Sequence, residues 1–323
     1  MAAYGVGDCP GFASLHAATH IPLTNLVVMY GIPRSRIYRF TTQEEFKEDL
    51  ERCEDAFISG DGEQYIAFRE VQQSDLRLIA HGSTRSELPE FRFLYDPAEE
   101  VTIVKLKDGQ YHEVAGGGFG GLFLHKLALL EATLDHFGST PYVAPNGRSK
   151  EPDDSWAPSD RDAGIDLRSL VIELGVSDSL VQLRMDAHHW RTQRGGQNRV
   201  VIILAVNRGS KLMTIERWEL ARTTRPTRAS VAPGIPTQIQ LLTLYDNGTV
   251  DGGPLLIPAS KVYDTLTPGL GQNDFTFTNQ ELTQYIQQYW AMGSVSVGSA
   301  ELRRLIRKGH CARRGGDKWH KKN

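Results

Sequence analysis

The sequence predicts an α/β domain built around a mixed β-sheet. Three observations lead to this prediction. Strand-like and helix-like segments alternate from about residue 90 onward. The run RVVIILAVN (199–207) is continuously apolar, which is typical of a strand buried on both faces of a sheet. The capping boxes Thr42-x-x-Glu45 and Thr278-x-x-Glu281 each mark the start of a helix.

Residues 1–40 show no sustained hydrophobic periodicity. The stretch TQEEFKEDLERCEDAF, which follows, predicts a helix. The segments FRFLYDP and VTIVKLK are strand-like, with a turn between them at Asp96 and Pro97. The pair Asp108-Gly109 is a hairpin signal before QYHEVA. A glycine cluster then leads into a predicted helix, LFLHKLALLEATLDHF, and Glu131 lies on the apolar stripe of that helix.

The second half supplies further strands and two helices. Its segments are, in order, PYVAP, EPDDSWAP, the strand SLVIELGVS (169–177), a helix from Ser177 to Arg191, RVVIILAVN, KLMTIERWEL, TQIQLLTLYDNG, GPLLIPASKVY and the final helix. The stretch DAHHW is expected to fix its helix to the sheet. We therefore predict a partly helical N-terminal region over 1–88, one α/β domain over 89–292 and a flexible basic tail over 293–323.

The glycine cluster AGGGFGG matches the dinucleotide-binding pattern G-x-G-x-x-G at Gly116, Gly118 and Gly121. That pattern requires a βαβ unit whose second strand ends in an acid. Here the preceding strands read as an antiparallel hairpin, and PYVAP is short and has no acid at its end. We interpret the cluster as a flexible connection from a hairpin to a helix.

Composition narrows the class of protein. The chain has 323 residues and is 40% hydrophobic, which suits one large domain or two modest ones. It has no apolar run of ~18 residues and no leader pattern, so we expect an intracellular protein, nuclear or cytoplasmic, without a membrane partner. The cysteines Cys9, Cys53 and Cys311 are odd in number and far apart, which argues against a disulfide framework or a CxxC zinc site.

The formal net charge of −3 conceals an asymmetry. The stretch 301–323 contains nine lysine and arginine residues and two acids, a net charge of +7, so the rest of the chain carries −10. A basic tail after an acidic body suggests an electrostatic arm for nucleic acid or a nuclear-import signal. A solvated, partly disordered end is the simpler alternative.

Three carboxylates lie in or beside apolar sequence on consecutive elements: Glu131 on a helix, Asp153 at a strand and Glu173 inside SLVIELGVS. Burying an unpaired charge costs several kcal/mol, so Glu173 needs a partner if it is buried. Adjacent strands lie ~4.8 Å apart, so Asp153 and Glu173 can share one cation. Hard divalent ions favour carboxylates. We therefore predict a Mg²⁺ or Mn²⁺ site formed by Asp153 and Glu173, with Glu131 in support.

Each of these residues also has a simpler explanation. Asp153 can cap a turn. Glu173 can form a structural ion pair with Arg184. Glu131 can be the boundary glutamate of an amphipathic helix, and Gln182 fits a capping box at the start of its own helix.

Taken in order, EPDDSWAP, SLVIELGVS, the helix ending in DAHHW and VVIILAV resemble the PD-(D/E)xK nuclease superfamily, and in particular a group of uncharacterised fungal members. The stretch around His112 and Glu113 is similar to the entry to the core of the Uma2-like branch. The resemblance covers about residues 90–292. It implies a restriction-endonuclease-like core, a mixed sheet flanked by helices. It also implies Mg²⁺- or Mn²⁺-dependent hydrolysis of phosphodiester bonds.

The same resemblance implies roles for individual residues. Asp153 and Glu173 match the metal-binding acids, and Glu131 matches the helix glutamate of some members. The expected partner is nucleic acid, with DNA favoured over RNA, and a homodimer is the assembly to test against a monomer.

One position departs from the motif. The lysine expected two residues after the glutamate is Gly175. That lysine normally positions or activates the attacking water and stabilises charge that develops on the phosphate. Lys150, Gln182 and Arg184 are the candidate replacements in the catalytic site. Without one of them, the alternative is a catalytically inactive nuclease-like fold that acts as a nucleic-acid- or protein-binding module.

Overall fold

The computed structural model describes residues 26–81, 83–107, 109–159, 161, 168–192, 198–221, 234–266 and 274–295, and every structural statement below concerns these residues. Most of the predicted basic tail, from residue 296 onward, lies outside them. The helices are α1 (Leu26–Met29), α2 (Gln43–Ser59), α3 (Gln73–His81), α4 (Gly109–Leu129), α5 (Leu180–Thr192), α6 (Ala259–Val262) and α7 (Asn279–Val295), with 3-10 turns at Arg34–Arg36, Ser83–Glu87 and Ser177–Ser179. None of these helices is long and apolar enough to cross a membrane.

The strands form two large sheets and one small hairpin. They are β1 (Ile37–Arg39), β2 (Tyr65–Arg69), β3 (Phe91–Asp96), β4 (Val101–Leu106), β5 (Asp135–His136), β6 (Tyr142–Val143), β7 (Ser149–Lys150), β8 (Asp154–Ala157), β9 (Leu170–Val176), β10 (Val200–Asn207), β11 (Leu212–Ala221), β12 (Ile235–Tyr245), β13 (Val250–Asp251), β14 (Leu255–Ile257) and β15 (Phe275–Phe277). The described chain is therefore a mixed α/β structure, as the sequence predicts.

The first large sheet, called here the N-terminal sheet, has the strand order β1-β2-β4-β3-β7-β6. Strands β3 and β4 form the predicted hairpin, with Arg92 opposite Lys105. Strand β2 pairs with the other edge of β4 and places Tyr65 opposite Lys105. Strands from both sides of the predicted boundary at residue 88 thus belong to one sheet.

The second large sheet, called here the central sheet, has the order β13-β12-β11-β10-β9-β8-β5. Strand β10 lies parallel to β9 and antiparallel to β11, which makes the sheet mixed. Strand β8 runs antiparallel to β9, with Asp154 opposite Ile172. The strands predicted in SLVIELGVS and RVVIILAVN are thus confirmed as neighbours near the middle of this sheet.

The two sheets pack face to face around a shared apolar core. Val171 and Ile203 of the central sheet meet Leu94 and Ile103 of the N-terminal sheet in that core, together with Trp190 of α5. The opposite face of the central sheet packs against α4 and α7 in a second core. Strand β10 is buried on both faces for this reason, which explains its uninterrupted apolar sequence.

Both predicted capping boxes are confirmed. The hydroxyl of Thr42 accepts a hydrogen bond from the Glu45 backbone N–H at 3.2 Å, and α2 follows directly. The hydroxyl of Thr278 accepts one from the Glu281 N–H at 3.3 Å, while the Glu281 carboxylate accepts the Thr278 N–H at 2.8 Å. Each pair satisfies backbone donors that the first helical turn leaves free.

The hairpin predicted at Asp108-Gly109 is wrong, and so is the strand QYHEVA. Helix α4 begins at Gly109 and continues through the whole glycine cluster to Leu129. The glycines therefore form neither a flexible connection nor a phosphate-binding loop. At Gly118 a Cβ would lie 2.8 Å from the ring of Tyr285, so this glycine allows α4 to approach α7 closely.

The predicted position of Glu131 on the apolar stripe of a helix is also wrong. Helix α4 ends at Leu129, and Glu131 lies in the following turn with φ 50°. Its side chain is exposed. Glu131 is therefore not a buried carboxylate beside the other two.

The helical glycines give a direct test of this correction. Gly116 has no atom within 4 Å of a built Cβ, so Gly116→Ala should stabilise the protein by about 0.5–1 kcal/mol, the usual gain of alanine over glycine in a helix. Gly118→Ala should instead destabilise it by about 1–3 kcal/mol, because the methyl group overlaps the buried Tyr285 ring. Urea denaturation of both variants measures this difference. Equal destabilisation by both substitutions would contradict a helix through this segment.

Candidate functional site

Asp153 and Glu173 lie side by side, as predicted, because β8 and β9 are antiparallel neighbours. The pairing of Asp154 with Ile172 sets Asp153 next to Glu173 at the end of β8. A carboxylate oxygen of Asp153 accepts the Leu174 backbone N–H at 2.7 Å, which fixes its position against β9. Glu173 shares a face of β9 with Val171, the face that meets the N-terminal sheet.

Lys105 of β4 lies between these two acids. Its Nζ is 2.6 Å from Asp153 Oδ2 and also donates a hydrogen bond to Glu173 Oε2. Burial lowers the pKa of Lys105, but Asp153 and Glu173 outweigh it, so the pKa lies above its ordinary value. Lys105 therefore carries an ammonium ion that bridges both carboxylates.

A third acid, Asp186 of α5, extends the cluster. Lys150 Nζ donates to Asp186 Oδ1 at 2.6 Å and lies 3.2 Å from Glu173 Oε1. The hydroxyls of Tyr30 and Tyr65 donate to Asp186 at 2.7 Å and 2.6 Å. The expected role of the DAHHW stretch in fixing α5 is confirmed for Asp186, which ties this helix to Tyr30 and to strands β2 and β7 of the N-terminal sheet.

Glu173 accepts a further hydrogen bond, from a tryptophan side chain. The indole Nε1 of Trp190 donates to Glu173 Oε1 at 2.6 Å. Burial raises the pKa of Glu173, and Lys105 and Lys150 lower it part of the way back. These contacts answer why a carboxylate occurs in an otherwise apolar strand: Glu173 is fully buried and is matched by two ammonium groups and an indole N–H.

Asp153 lies where the cluster meets His112 and Arg92. His112 Nε2 is 3.0 Å from Asp153 Oδ1, and Arg92 Nε is 3.6 Å from the same oxygen. None of these three atoms has a hydrogen bond of acceptable geometry. Burial raises the pKa of Asp153, but Lys105 and His112 more than offset it, so the pKa lies well below its ordinary value.

The cluster brings charged side chains of both signs together, with His112 beside it. Three carboxylates face three cationic groups: Asp153, Glu173 and Asp186 against Lys105, Lys150 and Arg92. The side chains are almost fully enclosed, with exposed fractions of 0% for Glu173, 3% for Lys105 and 5% for Asp153. A cavity of about 10 Å³ adjoins Lys105, Lys150 and Asp186, enough for one water molecule. The cluster thus lies within the sheet interface.

The cluster could offer a divalent ion two carboxylates, and both are already paired with Lys105. A single nitrogen, Lys105 Nζ, reaches both Asp153 and Glu173, so one cation at that position would contact both carboxylates. Mg²⁺ commonly uses one or two protein carboxylates and keeps its remaining ligands as water. Glu131 is not a third ligand, and among the described residues no group of three or more acids, histidines or cysteines is arranged for a metal.

Gln64 occupies the space beside Gly175, the position at which the resemblance predicts a lysine. A Cβ at Gly175 would lie 2.5 Å from Gln64 Oε1, which itself accepts the Val176 backbone N–H at 3.1 Å. The Gln64 amide N–H₂ donates to the Leu106 carbonyl at 3.0 Å and so links the two sheets. A side chain at position 175 would have to displace the Gln64 amide, and the ammonium group beside the acids comes from Lys105.

Of the three predicted replacements, only Lys150 lies in the cluster. Arg184 pairs with Glu216, at 2.6 Å for its closest contact, so the alternative ion pair with Glu173 is wrong, while its role at a phosphate stays a prediction. Gln182 is half-buried on α5, its Oε1 has no hydrogen-bond partner, and it makes no contact with the acids.

Sequence reasoning missed Lys105 as a site residue. The signal was present, since Lys105 is the charged residue inside the strand VTIVKL (101–106), just as Glu173 is in SLVIELGVS. What the sequence could not provide was the pairing of the two strands across a sheet interface.

Glu151, two residues before Asp153, gives a pH test of the buried environment. Its side chain is 9% exposed, and burial raises its pKa to about 7 despite Arg85 nearby. The folded state then binds more protons than the unfolded state between pH ~4.5 and ~7, so stability falls as pH rises through this window. The substitution Glu151→Gln removes the ionisable group and with it this loss of stability at higher pH.

Relative to wild type, the Glu151→Gln variant should gain roughly 3 kcal/mol of stability between pH ~4.5 and ~7.5. Denaturant unfolding at several pH values checks this. A stability difference that does not change with pH would contradict the buried state of Glu151.

Comparison with known proteins does not assign this chain to a family. No protein-family model matches the chain, and no curated protein matches it either. A proposal for the function therefore rests on the geometry of the cluster and on the resemblance noted in the sequence.

Proposed function

We propose that the chain is a metal-dependent nuclease of the PD-(D/E)xK kind that hydrolyses phosphodiester bonds in nucleic acid. One observation carries the proposal: Lys105 contacts both predicted metal-binding acids, Asp153 and Glu173. The motif needs two acids and one lysine at one point, and Lys105 supplies the group that Gly175 lacks.

The surrounding elements support this proposal. Asp153 and Glu173 are carried by antiparallel neighbours β8 and β9, and α5 then connects β9 to the parallel strand β10. Helices α4 and α5 flank the resulting mixed sheet. This arrangement agrees with the restriction-endonuclease-like core that the motif implies.

In the proposed reaction, Asp153 and Glu173 would hold the ion, and Lys105 would place a positive charge beside it. The ion would polarise a phosphate oxygen and lower the pKa of a bound water, the general contribution of such metals. Lys105 would stabilise the negative charge that develops on the phosphate. Trp190 and Lys150 hold the Glu173 carboxylate in place. We propose DNA before RNA as substrate.

A specific observation favours a second candidate, a catalytically inactive nuclease-like fold that binds nucleic acid or protein. Glu173 is fully buried, and its carboxylate is already paired with Lys105 and Lys150 without an added ion. In that case the lysines and acids join the two sheets and perform no chemistry. Binding of a divalent ion and cleavage of nucleic acid separate the two candidates.

The test is a cleavage assay on plasmid DNA, single-stranded DNA and RNA with Mg²⁺, Mn²⁺ or EDTA. Wild type should cut at least one substrate, and only with a metal. Asp153→Asn, Glu173→Gln and Lys105→Met should each lose about 10²–10³-fold in rate, the usual effect of removing one group that stabilises transition-state charge.

Lys47→Ala is the matched control for these variants, since Lys47 lies at the surface 3.9 Å from Glu87 and far from the acids in the fold. It should cut at the wild-type rate. Failure of folded wild-type protein to cut any of the substrates would overturn the nuclease and leave the binding module.

A further inference from the structure

Helix α4 is apolar on the face that points away from the core as well as on the face that enters it. Its stretch 114–124 reads VAGGGFGGLFL and has no charged or polar side chain over three turns. On the inner side, Phe119 and Phe123 are fully buried. A surface helix normally carries polar residues on its outer face, and a helix that is apolar all round is normally buried. The outer face of α4 nevertheless has four exposed residues: Gly117, Gly121, Leu124 and Ala128.

This outer face is open to a close neighbour. Leu124 is 53% exposed, although it is a large apolar side chain. A Cβ built at Gly117 or at Gly121 meets no atom within 4 Å among the residues that the structure describes. Glycine leaves the helix backbone uncovered, so another element can approach it closely at these two positions. Exposed apolar surface that is continuous over several turns is typical of an interaction site.

The spacing and the sizes of the four residues indicate what covers them. They follow one another at intervals of four, three and four, which is the spacing of a helix–helix seam. The small residues Gly117 and Gly121 come first, and the large Leu124 follows. A second α4 that runs antiparallel would therefore place its Leu124 against Gly121, and its Ala128 against Gly117. A two-fold axis makes each of these contacts twice.

We propose that the chain forms a two-fold symmetric dimer in which the outer faces of two α4 helices pack antiparallel. A parallel pair would set glycine opposite glycine and leucine opposite leucine, and the seam would contain gaps and clashes. The antiparallel pair fits the large side chain of one copy over the glycine of the other. This inference goes beyond the proposed nuclease and does not depend on it.

The segments of the chain outside the described residues fit this face less well. The stretch 301–323 has a net charge of +7, whereas α4 has no acid from residue 114 to its end at Leu129. Residues 1–25 join the described chain at Leu26, which packs in the core between the two sheets. Helix α4 packs on the other face of the central sheet. A second copy of the chain is therefore the occupant that charge and position favour.

Two substitutions on the face test the dimer, and one elsewhere is their control. Gly117→Arg and Leu124→Arg each place a charge in the seam. Gly117→Arg has open space in the single chain, and arginine favours a helix over glycine, so this variant should fold at least as stably as wild type. The matched control is Leu78→Arg on α3, because Leu78 is 51% exposed and so resembles Leu124 in exposure.

The measurement is sedimentation velocity of the full chain over a range of concentrations, with thermal unfolding as the check of folding. Wild type and Leu78→Arg should approach about 72 kDa, twice the chain mass of 36.0 kDa, as the concentration rises. Gly117→Arg and Leu124→Arg should remain folded and shift toward 36.0 kDa, with the dimer Kd raised at least about tenfold.

Cysteine cross-linking tests the orientation of the two helices. In the antiparallel pair Gly117 lies against Ala128 of the second copy, while the two copies of Gly117 are about 16 Å apart at 1.5 Å per residue. That separation is too long for a disulfide. A mixture of Gly117→Cys and Ala128→Cys should therefore form a disulfide-linked dimer on oxidation. Either variant alone should stay at the level of wild type, which has three cysteines of its own.

Wild type that sediments at 36.0 kDa at every concentration would overturn the inference. A dimer that persists unchanged in folded Gly117→Arg and Leu124→Arg, or that Leu78→Arg disrupts equally, would also overturn it. Cross-linking of Gly117→Cys with itself would contradict the antiparallel packing. Cleavage of nucleic acid is measured separately, so loss of the nuclease would leave the dimer standing, and loss of the dimer would leave the nuclease standing.

Discussion

The ammonium group of Lys105, held between Asp153 and Glu173, is the interaction on which the interface of the two sheets depends. It belongs to a row of side chains on the N-terminal sheet, where strand pairing places Tyr65, Lys105 and Arg92 next to one another. The acids of the central sheet and of α5 face this row. Burial of any one of these charges alone would cost several kcal/mol, so the two sheets must carry them together.

Stability alone is a poor reason for such an arrangement. Replacing a buried ion pair by well-packed apolar side chains is often neutral or stabilising. Around the cluster the interface also contains apolar contacts, with Val171, Ile203 and Ile103 packed in one core. Six charged side chains in such an interface must be matched to one another, and that matching fixes how the two sheets meet.

Local sequence signals predicted the parts of the fold that local physics determines. The capping boxes at Thr42 and Thr278 identified α2 and α7, and the apolar run 199–207 identified a strand buried on both faces. The acids Asp153 and Glu173 were found because a charge in or beside apolar sequence must have a partner. These signals need no knowledge of distant residues.

The predictions that failed, and the site residues that were missed, depend on packing between residues far apart in the sequence. Asp108-Gly109 is a strong turn signal over two residues, but the segment after it gains more by packing as a helix, with Phe119 and Phe123 fully buried. Lys105 and Asp186 are far apart in sequence, and only the packing of β4 against β9 and α5 brings them to one site. No local pattern indicates that Gln64 fills the space beside Gly175.

A double-mutant cycle on Lys105 and Glu173 tests the central claim most directly. Each single variant, Lys105→Met or Glu173→Gln, removes one charge and so changes the net charge of the cluster, whereas the double variant removes one charge of each sign. The account predicts that the double variant is less destabilised than the sum of the single variants by about 3 kcal/mol, as expected for a buried pair. A coupling free energy below about 0.5 kcal/mol, the value of an exposed pair, would contradict the account.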